Sequence, residues 1–322
     1  MDVFFTTVVR QAPITQGGEL VRVDWTTKKV IAKKPLIPTD PPITEKDDPN
    51  SRGNARGGRG IIRQGDTLYV AIYHSILLFN TALNSKGKIT NNLFVGLHEM
   101  YHNEDTVWLA STAIDGAIHI DLQGNLLESW WPRENRKLQQ LFALDSLPIN
   151  KTIDNRMLWL HVQPSKQPGH THLNAVAVRK GQMCVLLNRF GLVYNTITDS
   201  ILIEDPSIIG CHNLVFLGDK ILINDSKGKR VVVYSQDGKF INEIDLLSFP
   251  EILAIHNADI DDYEEKRRLF VRGLSPIDDK RILVGFSPAT IVEIELYSGR
   301  LLDVYQYSKD VAVCVHGLLA WT

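Results

Sequence analysis

A unit of four short strands recurs along this chain and restricts the folds open to it. The segments 98–130 ("HEMYHNEDTVWLASTAIDGAIHIDLQGNLLESW") and 212–244 ("HNLVFLGDKILINDSKGKRVVVYSQDGKFINEI") align so that their last turns coincide. His98 stands 26 residues before Gly124, and His212 stands 26 residues before Gly238. Each segment contains short alternating or β-branched runs bounded by Gly, Asp and Asn, which is typical of one blade of a β-propeller.

Three further units of the same kind begin at Gly60, His172 and Arg272. The C-terminal "VHGLLAWT" supplies one more strand, and the N-terminal residues supply three strands that lack a first. We therefore predict an all-β fold, a six-bladed β-propeller that forms a single domain over residues 1–322. Its closing blade would combine residues 316–322 with residues 1–36, which removes open sheet edges.

Two long segments interrupt the period, at about residues 35–60 and 132–171. Both lie between the last strand of one blade and the first strand of the next, so we expect them on the face with the channel mouth, as lids or pocket walls. The Pro, Asp and Gly content of the first is equally typical of a disordered segment. A third connection, "NADIDDYEEKRRLF" at 257–270, predicts a short solvated helix.

Composition and charge limit the binding partners and the cellular compartment that we expect for this protein. The formal charge is -2, with 22% charged residues, so no basic excess points to nucleic acid or to an anionic membrane. No run approaches the ~18 apolar residues of a membrane span, and the N-terminus does not resemble a secretory signal. The three cysteines are an odd number outside any paired framework, which favours reduced thiols and a cytoplasmic location.

The first strand of every propeller blade lines the central channel. We call the register-equivalent residues at the starts of these strands the axial positions; they are Gly60, His98, His172, His212, Arg272 and His316. Four of the ten histidines thus converge on one axis. Histidine can simply hydrogen-bond to water in a polar channel, but four at equivalent positions favour a functional pocket.

Imidazoles on separate rigid strands can meet around a divalent ion such as Zn, Mn or Fe. We therefore expect His98, His172, His212 and His316 to be the metal ligands. The neighbouring Glu99 would act as the catalytic base or as an extra ligand. The remaining predicted site residues would bind the substrate. Arg272 and Arg59 would hold an anionic group of the substrate as catalytic clamps, and Asn174 and Asn213 would make further contacts with it.

The segments "HLNAVAV", "GCHNLVFLGDKILINDSKGK" and "VRGLSPIDDKRILVGFS" resemble a family of bacterial six-bladed propellers of unknown function. That family carries "CHLNG", "PHSP" and "RGL" motifs, whereas "GCHN" here lacks the proline before its histidine. The resemblance spans roughly residues 170–290 and implies the fold. A looser architectural likeness is to the peptidylglycine amidating lyase, a six-bladed propeller with zinc on three histidines, and it rests on the axial histidines alone.

These observations leave two functions open. The first is a metal-dependent enzyme, a lyase or hydrolase by preference, that acts on a small anionic metabolite at the top of the channel. Oxidative chemistry at a non-haem iron is a less favoured form of the same prediction. The second is a non-catalytic propeller that binds a small molecule or a protein partner.

Overall fold

In a computed structural model the described residues are 1–50, 53–163, 166–258 and 269–322. They form six four-stranded antiparallel sheets, each of which is one blade. The all-β, six-bladed prediction is confirmed, including a blade built from both ends of the chain.

The strands follow the chain order, blade by blade. The closing blade contains β1 (Asp2–Val9), β2 (Glu19–Asp24), β3 (Lys29–Pro35) and β24 (Val313–Trp321). Blade 1 contains β4 (Ile61–Gln64), β5 (Thr67–Ala71), β6 (Ile76–Phe79) and β7 (Ser85–Ile89). Blade 2 contains β8 (Leu97–Asn103), β9 (Thr106–Ser111), β10 (Gly116–Asp121) and β11 (Leu126–Trp130).

Blade 3 contains β12 (Leu173–Arg179), β13 (Gln182–Leu187), β14 (Leu192–Asn195) and β15 (Ser200–Glu204). Blade 4 contains β16 (His212–Leu217), β17 (Lys220–Asp225), β18 (Arg230–Ser235) and β19 (Phe240–Asp245). Blade 5 contains β20 (Gly273–Pro276), β21 (Arg281–Phe286), β22 (Thr290–Glu295) and β23 (Leu301–Gln306). The described helices are α1 (Arg136–Phe142), α2 (Pro250–Asn257) and single 3₁₀ turns at Ile14–Gln16, Thr112–Ile114, Pro132–Glu134, Pro206–Ile208 and Leu246–Ser248.

The closing blade begins earlier than the sequence predicts. Strand β24 starts at Val313 rather than His316, because Val313 and Cys314 pair with Val9 and Val8 at the end of β1. The three extra residues lengthen the contact between the two ends of the chain.

The core lies between the blades, and its pattern explains the nearly continuous apolar runs of the strands. Successive side chains of a strand point to opposite faces of the sheet. In β1, Val3 and Phe5 pack against blade 5 residues such as Ile291, whereas Phe4 packs against blade 1 residues such as Leu68. A blade with a neighbour on each face therefore needs apolar side chains at consecutive positions.

One strand of each blade lies nearest the axis: β24, β4, β8, β12, β16 and β20. Neighbouring inner segments come very close. A Cβ atom added to Gly317 would lie 2.1 Å from the carbonyl oxygen of Arg59, so only glycine fits there. The hydroxyl of Thr6 donates a hydrogen bond to the same oxygen, over 2.7 Å.

Both long connections are folded over much of their length. In the first, the guanidinium of Arg56 forms a buried ion pair with Asp48, at 3.3 Å. The second contains α1, capped by the side chain of Asn135. The helix predicted at 257–270 lies mostly outside the described residues. The described helix α2 ends at Asn257, where that prediction begins. Neither described helix is long and apolar enough to cross a membrane.

Candidate functional site

Five of the six predicted axial residues lie at or next to the start of an inner strand, whereas His316 is the fourth residue of β24. His98, His212 and His316 belong to β8, β16 and β24, and His172 and Arg272 immediately precede β12 and β20. The imidazole rings follow one another around the axis. Ring centroids are 5.9 Å apart for His172 and His98, 5.5 Å for His98 and His316, and 6.4 Å for His316 and His212. We call these four histidines, together with Glu99 and Arg272, the axial site.

Hydrogen bonds fix the tautomers of two axial histidines. The Nδ1–H of His98 donates to the carbonyl oxygen of Gly96, over 3.0 Å. His212 Nδ1 lies 2.7 Å from Ser226 Oγ, whose own proton goes to the carbonyl oxygen of Val271, so this Nδ1 is also the donor. Each imidazole therefore keeps its lone pair on Nε2. In His212 that atom has no partner among the described residues.

A β-bulge occurs in four of the six inner strands, always beside an axial position. One extra residue interrupts the pairing of β8 between Leu97 and Met100, and corresponding bulges interrupt β12, β16 and β24. Bulges redirect side chains and are frequent next to active sites. The repeat pattern of the sequence does not predict them. In β8 the bulge contains both His98 and Glu99, so these consecutive residues can both contribute to the axial site.

Glu99 is the carboxyl group of the axial site. Its Oε1 lies 3.9 Å from Nδ1 of His316, which is too far for a hydrogen bond, and it has no partner among the described residues. Burial raises the pKa of Glu99 to about 8, against the opposing influence of Arg272 and Arg59. At neutral pH the carboxyl group is therefore mostly protonated.

The four imidazoles are neutral at the same pH. Burial is the largest cause that lowers the pKa of each, to about 3 for His172 and well below the usual value for His98, His212 and His316. Nearby Arg272 acts in the same direction on all four. His316 is fully buried, and neither of its ring nitrogens has a partner among the described residues.

Arg272 and Arg10 both lie against one aromatic ring, that of Phe270. Arg10 was not predicted from the sequence. The guanidinium of Arg272 lies 4.8 Å from the centroid of Phe270, and that of Arg10 lies 5.3 Å from the same centroid. The ring of His212 contacts Phe270 at 5.6 Å. Arg10 directly follows β1, and antiparallel pairing places the end of β1 on the face where β24 begins. That pairing is the signal from which Arg10 could have been predicted.

The other predicted clamp, Arg59, is engaged with its own loop. Its Nη1 donates to the carbonyl oxygen of Arg56 over 2.8 Å, and its Nη2 donates to those of Asn54, over 3.0 Å, and Gly53. These bonds hold the first long connection close to the central channel. Burial lowers the pKa of Arg59 to about 10, so it stays charged at neutral pH.

The two predicted substrate asparagines belong to hydrogen bonds that link neighbouring blades, Asn174 directly and Asn213 through Asn224. The side chain of Asn174 donates to the carbonyl oxygen of Cys211, over 3.1 Å, and leaves its own Oδ1 without a described partner. Asn213 Oδ1 accepts from Asn224, which also donates to the carbonyl oxygen of Gly273. Asn224 Oδ1, again without a described partner, was not predicted.

His172 is held by a hydrogen-bond network that includes a third unpredicted residue, Asp115. Asp115 accepts hydrogen bonds from the backbone nitrogens of Thr171 and Leu173, over 2.8 and 3.0 Å, and from the Thr171 hydroxyl. The backbone nitrogen of His172 donates to Nδ1 of His170, over 2.9 Å. His172 itself has a left-handed φ of 56°. The network therefore fixes an unusual backbone on both sides of this residue.

A cavity of about 450 Å³ extends along the axis away from the histidines. Each inner strand contributes to its wall, for example Ile61, Glu99, Val176, Asn213, Leu274 and Leu318. It reaches from Glu99 and Asn213 to Lys180, which is exposed at the far end of β12. Glu99 thus faces both the axial histidines and a space that leads toward solvent.

Unsatisfied polar atoms concentrate at this place. Among the described residues, Glu99, Asn174, His212, Asn224, Arg272 and His316 each have a buried side-chain atom without a hydrogen-bond partner. Buried polar groups normally have partners, so this concentration indicates a position for a polar ligand or for water. In the described parts of the chain, however, no three His, Cys, Asp or Glu side chains are arranged to hold a metal ion.

Comparisons with known proteins support the fold. No family model matches the chain, and no curated protein matches it. A protein of unknown function from Bacteroides caccae is 10% identical, with a TM-score of 0.56, and the match covers 99% of this chain and 97% of that one. A chain of the nidogen/laminin complex is 8% identical, with a TM-score of 0.57 over 98% of this chain and 97% of that one.

Virginiamycin B lyase from Staphylococcus aureus is also similar, at 12% identity and a TM-score of 0.46 over 76% of this chain and 68% of that one. At these identities the likeness concerns the propeller fold alone. The TM-score of the lyase is too low to support an argument about the reaction. The function has to be argued from the axial site itself.

Proposed function

We propose that this protein is an enzyme, a lyase or hydrolase, that binds a small anionic metabolite at the axial site and moves a proton through Glu99. The observation that carries the proposal is the state of Glu99: a buried carboxyl group next to Arg272 and His316, with a pKa of about 8 and an oxygen that has no partner among the described residues. A catalytic acid or base works best when its pKa lies near the working pH.

The protonation states assign the roles. At pH 7 roughly nine tenths of Glu99 carries its proton, so it would donate a proton to a leaving group, and its ionised fraction would act as a base at higher pH. Arg272 is charged, because burial lowers its pKa only to about 9. Its Nε, which has no partner in the described part of the chain, would hold the anionic group. The neutral imidazoles of His98 and His212 would accept hydrogen bonds through Nε2.

A screen of small anions tests the proposal. Mixtures of small carboxylates and phosphate monoesters are incubated with the protein and followed by proton NMR for conversion. We expect Glu99→Gln to lower the rate about 100-fold or more while binding persists, and Arg272→Gln to raise KM. Glu128→Gln, on the exposed strand β11, is the matched control. Equal rates for Glu99→Gln and the wild type would contradict the role of Glu99, and binding without any conversion would favour the non-catalytic propeller.

A divalent metal ion, Zn, Mn or Fe, is the second candidate for the axial site. It is favoured by the tautomers of His98 and His212, because histidines that bind metals usually donate their other ring N–H to a protein oxygen. The present arrangement does not fit a metal with three protein ligands among the described residues, so we assign it no step. Elemental analysis of protein purified without a histidine tag tests it. A metal content that is substoichiometric and does not fall in His172→Ala or His212→Ala would exclude the metal.

A further inference from the structure

The two ends of the central channel are built differently. The inner strands begin on the face that carries the axial histidines, and they end on the opposite face, which we call the far face. The turns that follow them there are short: two residues at 65–66, 104–105, 180–181 and 218–219, and four at 277–280. Two-residue turns are the tight turns of β-hairpins and stay beside their own strands. All five turns belong to the described part of the chain.

On the histidine face, the first long connection packs beside the axis. Arg59 directly precedes the axial position Gly60 and is 6% exposed. Its positive charge lowers the pKa of His98 and of His316, so its guanidinium lies near both rings. The same guanidinium donates to the carbonyl oxygens of its loop, as described above. The backbone of the first long connection is therefore held next to the axial histidines.

The second long connection joins the first on this face. The side chain of Asn54 donates to the carbonyl oxygen of Leu160, over 2.9 Å. Ala55 and Leu160 are each 1% exposed and belong to one apolar cluster. Further along, His170 is fully buried beside the axial histidine that follows it. In their described residues the two long connections thus form a joined and packed layer.

The cavity of about 450 Å³ leads from the axial site to the far face. Its wall includes Glu99 at one end and Lys180 and Gly218, in the far-face turns, at the other. Along β12 it extends from Val176 to Lys180, which is about 13 Å of extended strand. The volume is within the usual range for a ligand pocket, about 300–1,000 Å³. Glu99 lines this space, and 18% of its side chain is exposed.

We infer that small anions reach the axial site through the channel from the far face, past Lys180, and that the two long connections close the histidine face. The inference takes the place of binding from the function proposed above and adds the route to it. The residues that bind the ligand stay the same. The entrance lies opposite to the face on which the sequence led us to expect the substrate.

Thiol modification of the intact protein tests the inference. Glu99→Cys places a target thiol at the axial site, and Lys180→Cys places a second thiol at the far-face mouth. In the double variant, a bulky maleimide first blocks position 180. The small anion 2-sulfonatoethyl methanethiosulfonate is then added, and mass spectrometry of the intact protein follows its reaction at position 99.

The native cysteines interfere little with this measurement. Cys184, Cys211 and Cys314 are at most 3% exposed, and a buried thiol reacts slowly. The wild type, treated in the same way, gives their background. His98→Cys serves as a second target if Glu99→Cys does not fold, because both residues lie in the same bulge of β8.

We expect the maleimide at position 180 to slow modification of the axial thiol at least about tenfold, since reaction of a thiol requires access. The matched control is Lys46→Cys combined with Glu99→Cys. Lys46 is exposed on the first long connection, at the histidine face. A maleimide at position 46 should change the rate less than about twofold if the anion does not enter there.

Three results would overturn the inference. One is an axial thiol that the anion does not modify even without a maleimide. Another is slowing by the maleimide at position 46 but not by that at position 180, which would place the entrance on the histidine face. The third is a rate that neither maleimide changes. None of them decides the proposed function, which is judged separately by the loss of conversion in Glu99→Gln.

Discussion

At the scale of single residues, burial governs the chemistry of the axial site. It raises the pKa of Glu99 and lowers the pKa of the four axial histidines, so that both kinds of group are mostly uncharged at neutral pH. The arginines are too basic to respond in the same way, and Arg272 keeps its charge with a pKa of about 9. Among the described residues the axial site therefore carries positive charge, which suits it to anions.

This assignment predicts how stability depends on pH. Glu99 has a pKa of about 8 in the folded protein and about 4.5 when unfolded, so the folded state binds the extra proton between these values. Its contribution to the free energy of unfolding is complete below pH 4.5 and is lost as the pH rises through 8. The slope is about −1.4 kcal/mol per pH unit within that window.

The axial histidines do not obscure the effect above pH 6.5. Their pKa values are lowered on folding, so their contribution is lost only as the pH falls below about 6.5. Urea denaturation of the wild type and of Glu99→Gln should therefore be compared between pH 6.5 and 8.5. The wild type should lose stability relative to the variant up to pH 8 and then run parallel to it. A difference that is constant over this range would mean that Glu99 ionises normally.

At the scale of elements, the repeat predicted which residue of each blade reaches the axis, because strand period and blade length together determine the register. It placed His98, His172 and His212 at or next to the starts of inner strands, but His316 lies three residues inside β24. The four bulges were not predicted from the sequence. One extra residue leaves the alternation of side chains along the strand intact on either side of the bulge, so the pattern gives no sign of it. Arg10 was missed because it follows the second strand of its blade, outside the register that was aligned.

Asp115 shows a different limit of sequence reasoning. It belongs to the turn after β9 and meets Thr171 and Leu173 only because the second long connection returns to the axis. No local pattern marks such a meeting between residues 56 or 58 positions apart. Contacts of this kind depend on the folded connection rather than on strand periodicity.

Asp115 should therefore be a positioning residue for His172. Asp115→Asn replaces one acceptor oxygen by an amide group that cannot accept from Thr171 or Leu173, and should lower the free energy of unfolding by about 1–3 kcal/mol. If Asp115 has only a structural role, the free energy of unfolding should be the only quantity that changes. If the role is positional, the variant should also weaken the binding of a small anion such as succinate in titration calorimetry, and His172→Ala should have the same effect.

The control for this prediction is Asp121→Asn. Asp121 accepts bonds from Gln123 and Asn125 at an exposed turn of the same blade, so neither stability nor binding should change measurably. Reduced stability of Asp115→Asn with unaltered succinate affinity would restrict Asp115 to a structural role.

At the scale of the whole molecule, the closing blade joins the axial site to the stability of the ring. Strand β24 pairs with β1 over most of its length, from Asp2 with Trp321 to Val9 with Val313. The same strand carries His316, and its apolar side chains pack with those of β1 and blade 5. The contact that closes the propeller therefore also completes the site.

Deletion of residues 313–322 should consequently unfold the protein rather than simply remove one histidine. It exposes the edge of β1 and the apolar faces of two blades. A circular permutant separates the two effects: a four-residue Gly/Ser linker joins Thr322 to Met1, which is feasible because Asp2 and Trp321 are paired, and new termini open between the exposed Lys309 and Asp310. The permutant keeps every strand. The four strands of its closing blade are consecutive in the sequence, so the ring is no longer closed by pairing between the two ends of the chain.

We expect circular dichroism to show no cooperative thermal transition for the deletion variant. The permutant should unfold cooperatively at a lower temperature than the wild type and bind succinate with unchanged affinity, because all axial residues are retained. A deletion variant that still unfolds cooperatively would show that β24 is dispensable for folding. A permutant as stable as the wild type would show that pairing between the chain ends adds nothing beyond the contacts of the blade itself.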